Sequence, residues 1–503
     1  MRELLNTMEA NSHPGRASIV DDWATLDRFL VFGSESGTYN VAESKITPDS
    51  AMRVQACLKA DGSRVVDTVV AVSAAGVVPK HTPAIFVLAL AASPNFADAA
   101  TNRGALTALP LVARTGKQLC EFAAFAQNLR GWGRGLRSAI GKWYVEKPVR
   151  DLACEMLSEE QHGEWSHRDL LRLAHPKAST AEQNALFQWA VEREIGHLAP
   201  ADLPMGNLRQ LYAVEQARKA HEQHEVAHLI EEFALTPEMI PGEWKSSTVV
   251  WEALLHDMPY TTLLENLGTM TDVGALAPMA PATALAITRL TDGRRVRQSG
   301  VHPIAVLSAR LAYQAGAEPV RNIVDALDEA FYLAIDNVEP TRKRIYLGIS
   351  GKQSMQGTGR NAYAAAVALT FARTERGLYV SVFDDNEVRP VEISKGDRLE
   401  LVCEGVKGEA RETAASLAIK DALERDLPVD TFVIVTDSET WSGDCDPGRA
   451  ILAYREKTGI TAKLAVIAMT ADTYSTADPS DPLQIAVVGF DATVPVVVSN
   501  FIR

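Results

Sequence analysis

The chain has 503 residues, an apolar fraction of 47% and a formal charge of −14, which allows two to four domains, each able to bury a core. No run of eighteen or more apolar residues is present, which excludes a membrane-spanning helix, and the N-terminus, Met-Arg-Glu-Leu-Leu-Asn, lacks the apolar core of a signal peptide. Five scattered cysteines (Cys57, Cys120, Cys154, Cys403, Cys445) without Cys-x-x-Cys spacing point to a reducing, cytoplasmic setting and against a disulfide framework or thiolate zinc site. The acidity is spread over both parts. Residues 1–340 carry 31 basic and 41 acidic side chains, and residues 341–503 carry 19 and 23. Contact with a nucleic acid would therefore have to be local.

The first forty residues read as an extended lead-in, because Gly33, Ser34 and Gly37 interrupt any period. From about residue 50 to 335 apolar residues recur at three-to-four spacing. The pattern predicts helices at Pro83–Ala92, Arg114–Gln127, Ala181–Ile195, Ala284–Leu290, His302–Tyr313 and Arg321–Ile335. Thr82 is the expected N-cap of the first, with Pro83 at its first helical position. Breaks at Pro94-Asn95, Pro176, Pro204, Pro241-Gly242 and Asp292-Gly293 separate the helices. Successive short amphipathic helices over nearly 300 residues imply stacked antiparallel pairs, an α-solenoid.

Within this region residues 127–143 stand out. Arg130, Arg134 and Arg137 recur at i, i+4 and i+7, so on one helix they would share a face. Lys142 follows, and Trp132 and Trp143 supply aromatic area. Between Arg103 and Arg150 there are nine Lys or Arg and only two acids, Glu121 and Glu146. A basic strip on an acidic chain suits RNA or another polyanion; the plainer reading is a solvated helix face. Further on, Ser166 is the expected N-cap of a helix, with Asp169 closing a capping-box-like pair. Leu170, Leu171 and Leu173 would face the core, leaving Arg168, Arg172, His175 and Lys177 as a basic edge. His224-Glu225-Val226-Ala227-His228 matches H-E-x-x-H, in which two imidazoles on one helix face bind zinc and the glutamate acts as base. No convincing third ligand follows, so a solvated polar face is the stronger reading.

The texture changes near Pro340. Strand-like runs at Arg344–Ile349, Gly377–Phe383, Thr431–Thr436, Lys463–Ile467 and Leu483–Val488 alternate with helical ones at Asn361–Phe371, Glu412–Glu424 and Pro447–Tyr454. That alternation predicts a doubly wound parallel sheet with helices on both faces. Ligands of such sheets sit beyond the strands' carboxyl ends, here Gly348–Ser354, Phe383–Asn386 and Asp437–Asp446. These loops resemble those of a von Willebrand factor A domain. That resemblance implies a divalent-cation site, best suited to Mg²⁺, at Ser350, Ser354, Thr413 and Asp437. Gly348 stands where the family has its first Asp, and Lys352 and Gln353 are inserted between the serines, which brings the Lys352 charge close to the cation position. Weak or absent metal binding is the expectation.

Several motifs in order resemble the Ro autoantigen family, the TROVE-domain proteins whose bacterial members are called Rsr. They are Trp132-Gly133-Arg134 with Leu136-Arg137-Ser138-Ala139-Ile140, the stretch Trp165 to His175, and Leu263-Leu264-Glu265-Asn266-Leu267-Gly268. In the C-terminal part Thr436 to Gly443, Ala477-Asp478-Pro479 and Val488-Gly489-Phe490-Asp491 resemble the same family. The resemblance implies a HEAT-like helical ring over residues 1–340, followed by an A-type domain over 341–503 that bridges the ring's ends. It further implies a usually monomeric, non-enzymatic protein. Its outer surface would bind small non-coding Y RNA, and its basic central hole would take single-stranded ends of misfolded RNA. In bacteria such a protein works with polynucleotide phosphorylase in RNA degradation. His175 matches a family histidine at the Y RNA surface, with Arg168 and Lys177 as neighbours. Two upstream basic positions of that surface are Ser158 and His162 here, which predicts weakened or altered Y RNA binding. A protein-interaction scaffold that does not bind RNA is the alternative from a different class.

Overall fold

The computed structural model describes residues 21–503 except 43–44, 76–77, 79, 159–160, 193–205, 357–358, 438–445, 471–477 and 479–480, and leaves out the side chains of Gln161 and His162. The expected lead-in is corrected at once. Helix α1 (Asp22–Phe32) starts on Asp21, whose side chain accepts the Ala24 N–H, and stops at Gly33 with φ 76°. Strand β1 (Thr38–Asn40) follows. Then come α2 (Met52–Ala75), α3 (Thr82–Ala91), α4 (Ala99–Val112), α5 (Gly116–Arg130), α6 (Arg134–Glu146) and α7 (Val149–Ser158). The short pair β2 (Gln161–His162) and β3 (Trp165–Ser166) leads to α8 (His167–Ala174) and α9 (Ala181–Glu192). The series continues with α10 (Arg209–Ala217), α11 (Gln223–Phe233), α12 (Thr248–Asp257) and α13 (Tyr260–Asp272). It ends with α14 (Pro281–Leu290), α15 (Gly293–Ser299), α16 (Pro303–Gln314) and α17 (Arg321–Ala334).

Most helices pack on their second neighbour: α2 on α4, α3 on α5, α4 on α6, α5 on α7, α6 on α8, α12 on α14, α13 on α15. Two layers of helices therefore run side by side, as stacked pairs require. The expected Thr82 cap is also corrected. Thr82 is itself the first helical residue, His81 holds the cap position, and neither side chain caps the helix. Every residue from Pro83 to Ala91 is buried, so this helix is held by packing on all sides.

The sheet adds β4 (Arg344–Ser350), β5 (Gly377–Phe383), β6 (Val388–Pro390), β7 (Thr431–Thr436), β8 (Lys463–Ala468) and β9 (Gln484–Val488). Its order is β1-β9-β8-β7-β4-β5-β6, parallel throughout except between β5 and β6. Around it lie α18 (Arg360–Thr374), α19 (Leu399–Gly405), α20 (Ser416–Glu424), α21 (Pro447–Thr458) and α22 (Val494–Ile502). Helix α20 begins later than the sequence pattern suggests and leaves residues 412–415 outside the helix. Alternation along the strands sorts the two faces. Leu347, Ile349, Val433 and Val435 join the core that runs through the helical array. Tyr346, Phe432 and Ile434 pack in a separate core with Ala418 of α20 and Tyr454 of α21.

Both ends of the helical array meet on this sheet domain. At the start, β1 pairs with β9 in the register Thr38↔Ala486 to Asn40↔Val488. Arg28 of α1 donates to the Gln484 carbonyl at 2.8 Å, and the Tyr39 and Thr493 hydroxyls lie 2.9 Å apart. At the far end, Asp328 of α17 holds Arg310 of α16 at 2.7 Å and Arg398, just before α19, at 2.8 Å. The Tyr363 hydroxyl of α18 donates to Ser308 of α16. The solenoid is thereby closed into a ring through the sheet domain.

Candidate nucleic-acid interface

The basic strip is not one helix. Helix α5 ends at Arg130 because Gly131, with φ 70°, turns its N–H back onto the Ala126 and Gln127 carbonyls. Gly133 is extended, and α6 begins at Arg134. The proposed i, i+4, i+7 face is thus broken after its first member. Arg130 is half-buried and donates to the Ala92 carbonyl, and that burial draws its pKa down; its guanidinium ties α5 to α3. Arg134 and Arg137 remain on α6 and are exposed. Lys142 is exposed too, in an ion pair with Glu146 at 3.5 Å. Lys147 is committed elsewhere: it donates to the Arg114 carbonyl at 2.8 Å, pairs with Glu155 and lies over Trp143.

Helix α8 starts as its sequence predicts. The Ser166 hydroxyl accepts the Asp169 N–H, and the Asp169 carboxylate accepts the Ser166 N–H. Leu170 and Leu171 are buried, and so is His167, whose Nδ1 lies 2.8 Å from the Tyr144 hydroxyl of α6. This leaves Arg168 and Arg172, one turn apart, on the exposed side. His175 closes the helix in a left-handed conformation, φ 45°, and it and Lys177 are exposed. Gly141 of α6 faces this end: a Cβ there would lie 3.7 Å from Pro176 and 3.9 Å from the Ala174 carbonyl. The structure therefore sets Arg134, Arg137 and Lys142 on one helix, Arg168 and Arg172 on the helix packed against it, and His175 and Lys177 at and just beyond that helix's end, while Arg130 goes to a helix junction. Trp132 lies against Trp165, ring centroids 5.1 Å apart, and its indole N–H donates to Gln127; it anchors the turn.

Arg103 counts toward the basic stretch in the sequence but is not singled out there as a contact residue. It is exposed on α4 one turn before Leu106, which touches the α6 N-terminus near Gly135. Sequence reasoning passed over Arg294, Arg295 and Arg297, all exposed on α15, with Arg295 3.7 Å from Asp292. Three arginines in four positions were a readable signal.

Family models of the TROVE domain match residues 9–238 and 232–317, and a model of the Ro60 vWA domain matches 344–502. The chain belongs to the Ro60 family. It is 36% identical over 513 residues to the RNA-binding protein RO60 of Deinococcus radiodurans, covering 98% of this chain and 95% of that one. It is 31% identical over 592 residues to the RNA-binding protein RO60 of Caenorhabditis elegans, covering all of this chain and 91% of that one. The crystal structure of the Deinococcus radiodurans RO (RSR) protein superposes with a TM-score of 0.87 at 36% identity, over 96% of this chain and 99% of that chain.

Two other Ro60-family features lie in regions singled out from the sequence. Ser158 ends α7 and its hydroxyl donates to the Cys154 carbonyl, whereas the His162 side chain and Glu159–Glu160 lie outside the described residues. In the A-type domain the structure brings the four suggested metal residues together in two pairs. The Ser350 hydroxyl donates to Thr413 at 3.3 Å, and the Ser354 hydroxyl donates to Asp437. The residues Ser438–Gly443, Ala477 and Pro479 of the matching motifs lie outside the described part.

The H-E-x-x-H stretch lies on α11 with His224 and His228 exposed. Its glutamate has another task. Glu225 accepts the His221 and Glu222 N–H groups at 3.0 and 3.3 Å, bonds that hold its carboxyl below the usual range. His228 lies 3.6 Å from Glu232. No group of three or more His, Cys, Asp or Glu side chains gathers there or elsewhere among the described residues. Nor is any described helix long and apolar enough to cross a membrane.

Proposed function

We propose that the chain is a non-enzymatic RNA-binding ring whose α6–α8 face contacts phosphates through Arg134, Arg137, Arg168, Arg172 and Lys177, with Arg103 beside them. The observation that carries this reading is the exposure of these cations on adjacent helices of a chain whose net charge is −14. A local positive surface on an acidic body concentrates contact with a polyanion at one place. The names of the relatives point the same way. Within this reading the ring, residues 1–340, holds small Y-like RNA on its outer surface. It takes single-stranded ends of structured or misfolded RNA into its hole, and residues 341–503 close it. RNA quality control or degradation, as a monomer in the cytoplasm and alongside polynucleotide phosphorylase, is the role that fits. Lys142 and His175 lie at the edge of the face.

The test is RNA binding over a salt series. Replacing both Arg134 and Arg137 by Ala should lower the slope of log affinity against log salt by about one for each lost phosphate contact. Sequencing RNA that co-purifies with the chain would name the ligand. Absence of any RNA, together with an unchanged slope, would instead support a protein-binding scaffold.

A further inference from the structure

The fold of the A-type domain implies a divalent cation beyond the carboxyl ends of β4 and β7, and the residues present do not fit one. Mg²⁺ takes six hard oxygens in near-octahedral array, usually with carboxylates among them. Here Asp437 is the one carboxylate among the four matching positions, beside the hydroxyls of Ser350, Ser354 and Thr413. Gly348, at the place of the missing aspartate, has no room for one. A Cβ there would lie 2.8 Å from the Ala418 Cβ and 3.0 Å from the Ile434 Cδ1. An aspartate could enter only if α20 moved away from the sheet.

A cation is nonetheless present. Lys352 Nζ lies 3.7 Å from Asp437 Oδ2, the same oxygen that the Ser354 hydroxyl reaches. The side chains are 22% and 6% exposed, so the pair is partly screened from water. Its backbone is held in place from both sides. Gly351 donates to the Phe383 carbonyl at 2.8 Å, Ala410 donates to Gly351 at 3.1 Å, and Gln353 donates to Ala410 at 2.8 Å. The insertion of Lys352 and Gln353 between the two serines therefore does more than lengthen a loop. It delivers an ammonium group to the carboxylate that a metal would otherwise bind.

We propose that Lys352 is a tethered cation standing in place of the divalent ion, so that this end of the sheet is tied together without metal. One ammonium neutralises one carboxylate, and a second cation at the same place would meet its repulsion. The inference does not depend on RNA binding, and its test reads stability and metal binding alone. Thermal unfolding of the full chain should give the same midpoint in EDTA, Mg²⁺ and Mn²⁺. Lys352→Ala should unfold at a lower temperature in EDTA, by roughly 3 °C or more. Mn²⁺ should not restore it, because removing the ammonium adds no oxygen ligand to the single carboxylate. The double variant Lys352→Ala/Asp437→Asn should regain part of the loss, because the carboxylate left without its cation is then gone. Calorimetric titration of the unaltered chain with Mn²⁺ should show no saturable heat, a measurement that stands even if the variants do not fold. Saturable binding by the unaltered chain, or a Lys352→Ala protein as stable in EDTA as the unaltered chain, overturns the proposal.

Discussion

Arg130 and Arg134 are four residues apart and differ in what their guanidinium groups do. The first is half-buried on a backbone carbonyl, the second stands in solvent. Removing the second should therefore touch binding and leave folding nearly unchanged, within about 0.5 kcal/mol as for surface positions generally. Asp27 illustrates the opposite environment. Burial pushes its carboxyl up to about 7, against the pull of Arg64 and with Asp21 adding repulsion. A folded-state value above the ordinary 3.8 means the folded chain holds the proton more tightly than the unfolded one. The stability this group contributes is complete below about pH 4 and is lost as pH rises through about 7. Asp27→Asn should raise the unfolding temperature at pH 8 and flatten its fall between pH 5 and 8. A variant with the same pH profile as the parent would sink this account. The need for a neutral carboxyl here could not be read from the sequence, since it arises from α1 lying against α2.

At the scale of elements, caps and breaks decide which charges share a surface. The sequence Gly131-Trp132-Gly133-Arg134-Gly135 held the cue that α5 must stop, and the even spacing of the arginines hid it. Gly131 has φ 70° and ψ −178°, a region almost confined to glycine. With nothing within 4 Å of its missing Cβ, the strain of Gly131→Ala is in the backbone alone. It should destabilise the chain by about 1–3 kcal/mol, seen as a lower denaturant midpoint with unchanged slope. Ser166→Ala removes the cap that orients Arg168 and Arg172 and should be worth about 1 kcal/mol. RNA affinity should weaken with it, and intact affinity would detach α8 from the binding face. The Ser166–Asp169 pair and the basic edge behind it were fully legible, because a cap and a helical period are both local. The split of the strip at Gly131 depends on a positive φ, which spacing does not report.

The whole molecule is a ring held at two seams. Arg28 is 1% exposed and reaches a carbonyl 456 positions away in sequence. Arg28→Ala should cost about 3 kcal/mol, as for a broken buried charge contact. It should also open the stretch between Gly33 and Thr47 to limited proteolysis, and an unchanged cleavage pattern would mean that β1 is held without it. By itself the sequence determined the kinds of element and their order, the family motifs, and the cations placed on α6 and α8. Periodicity, capping and charge are properties of neighbouring residues, and they survive in a linear text. Only the tertiary structure decided that Thr38–Asn40 is an edge strand of the distant sheet and that Arg130 points into a helix junction. A three-residue strand has no period to detect. A buried charge takes its meaning from partners that folding brings from far along the chain.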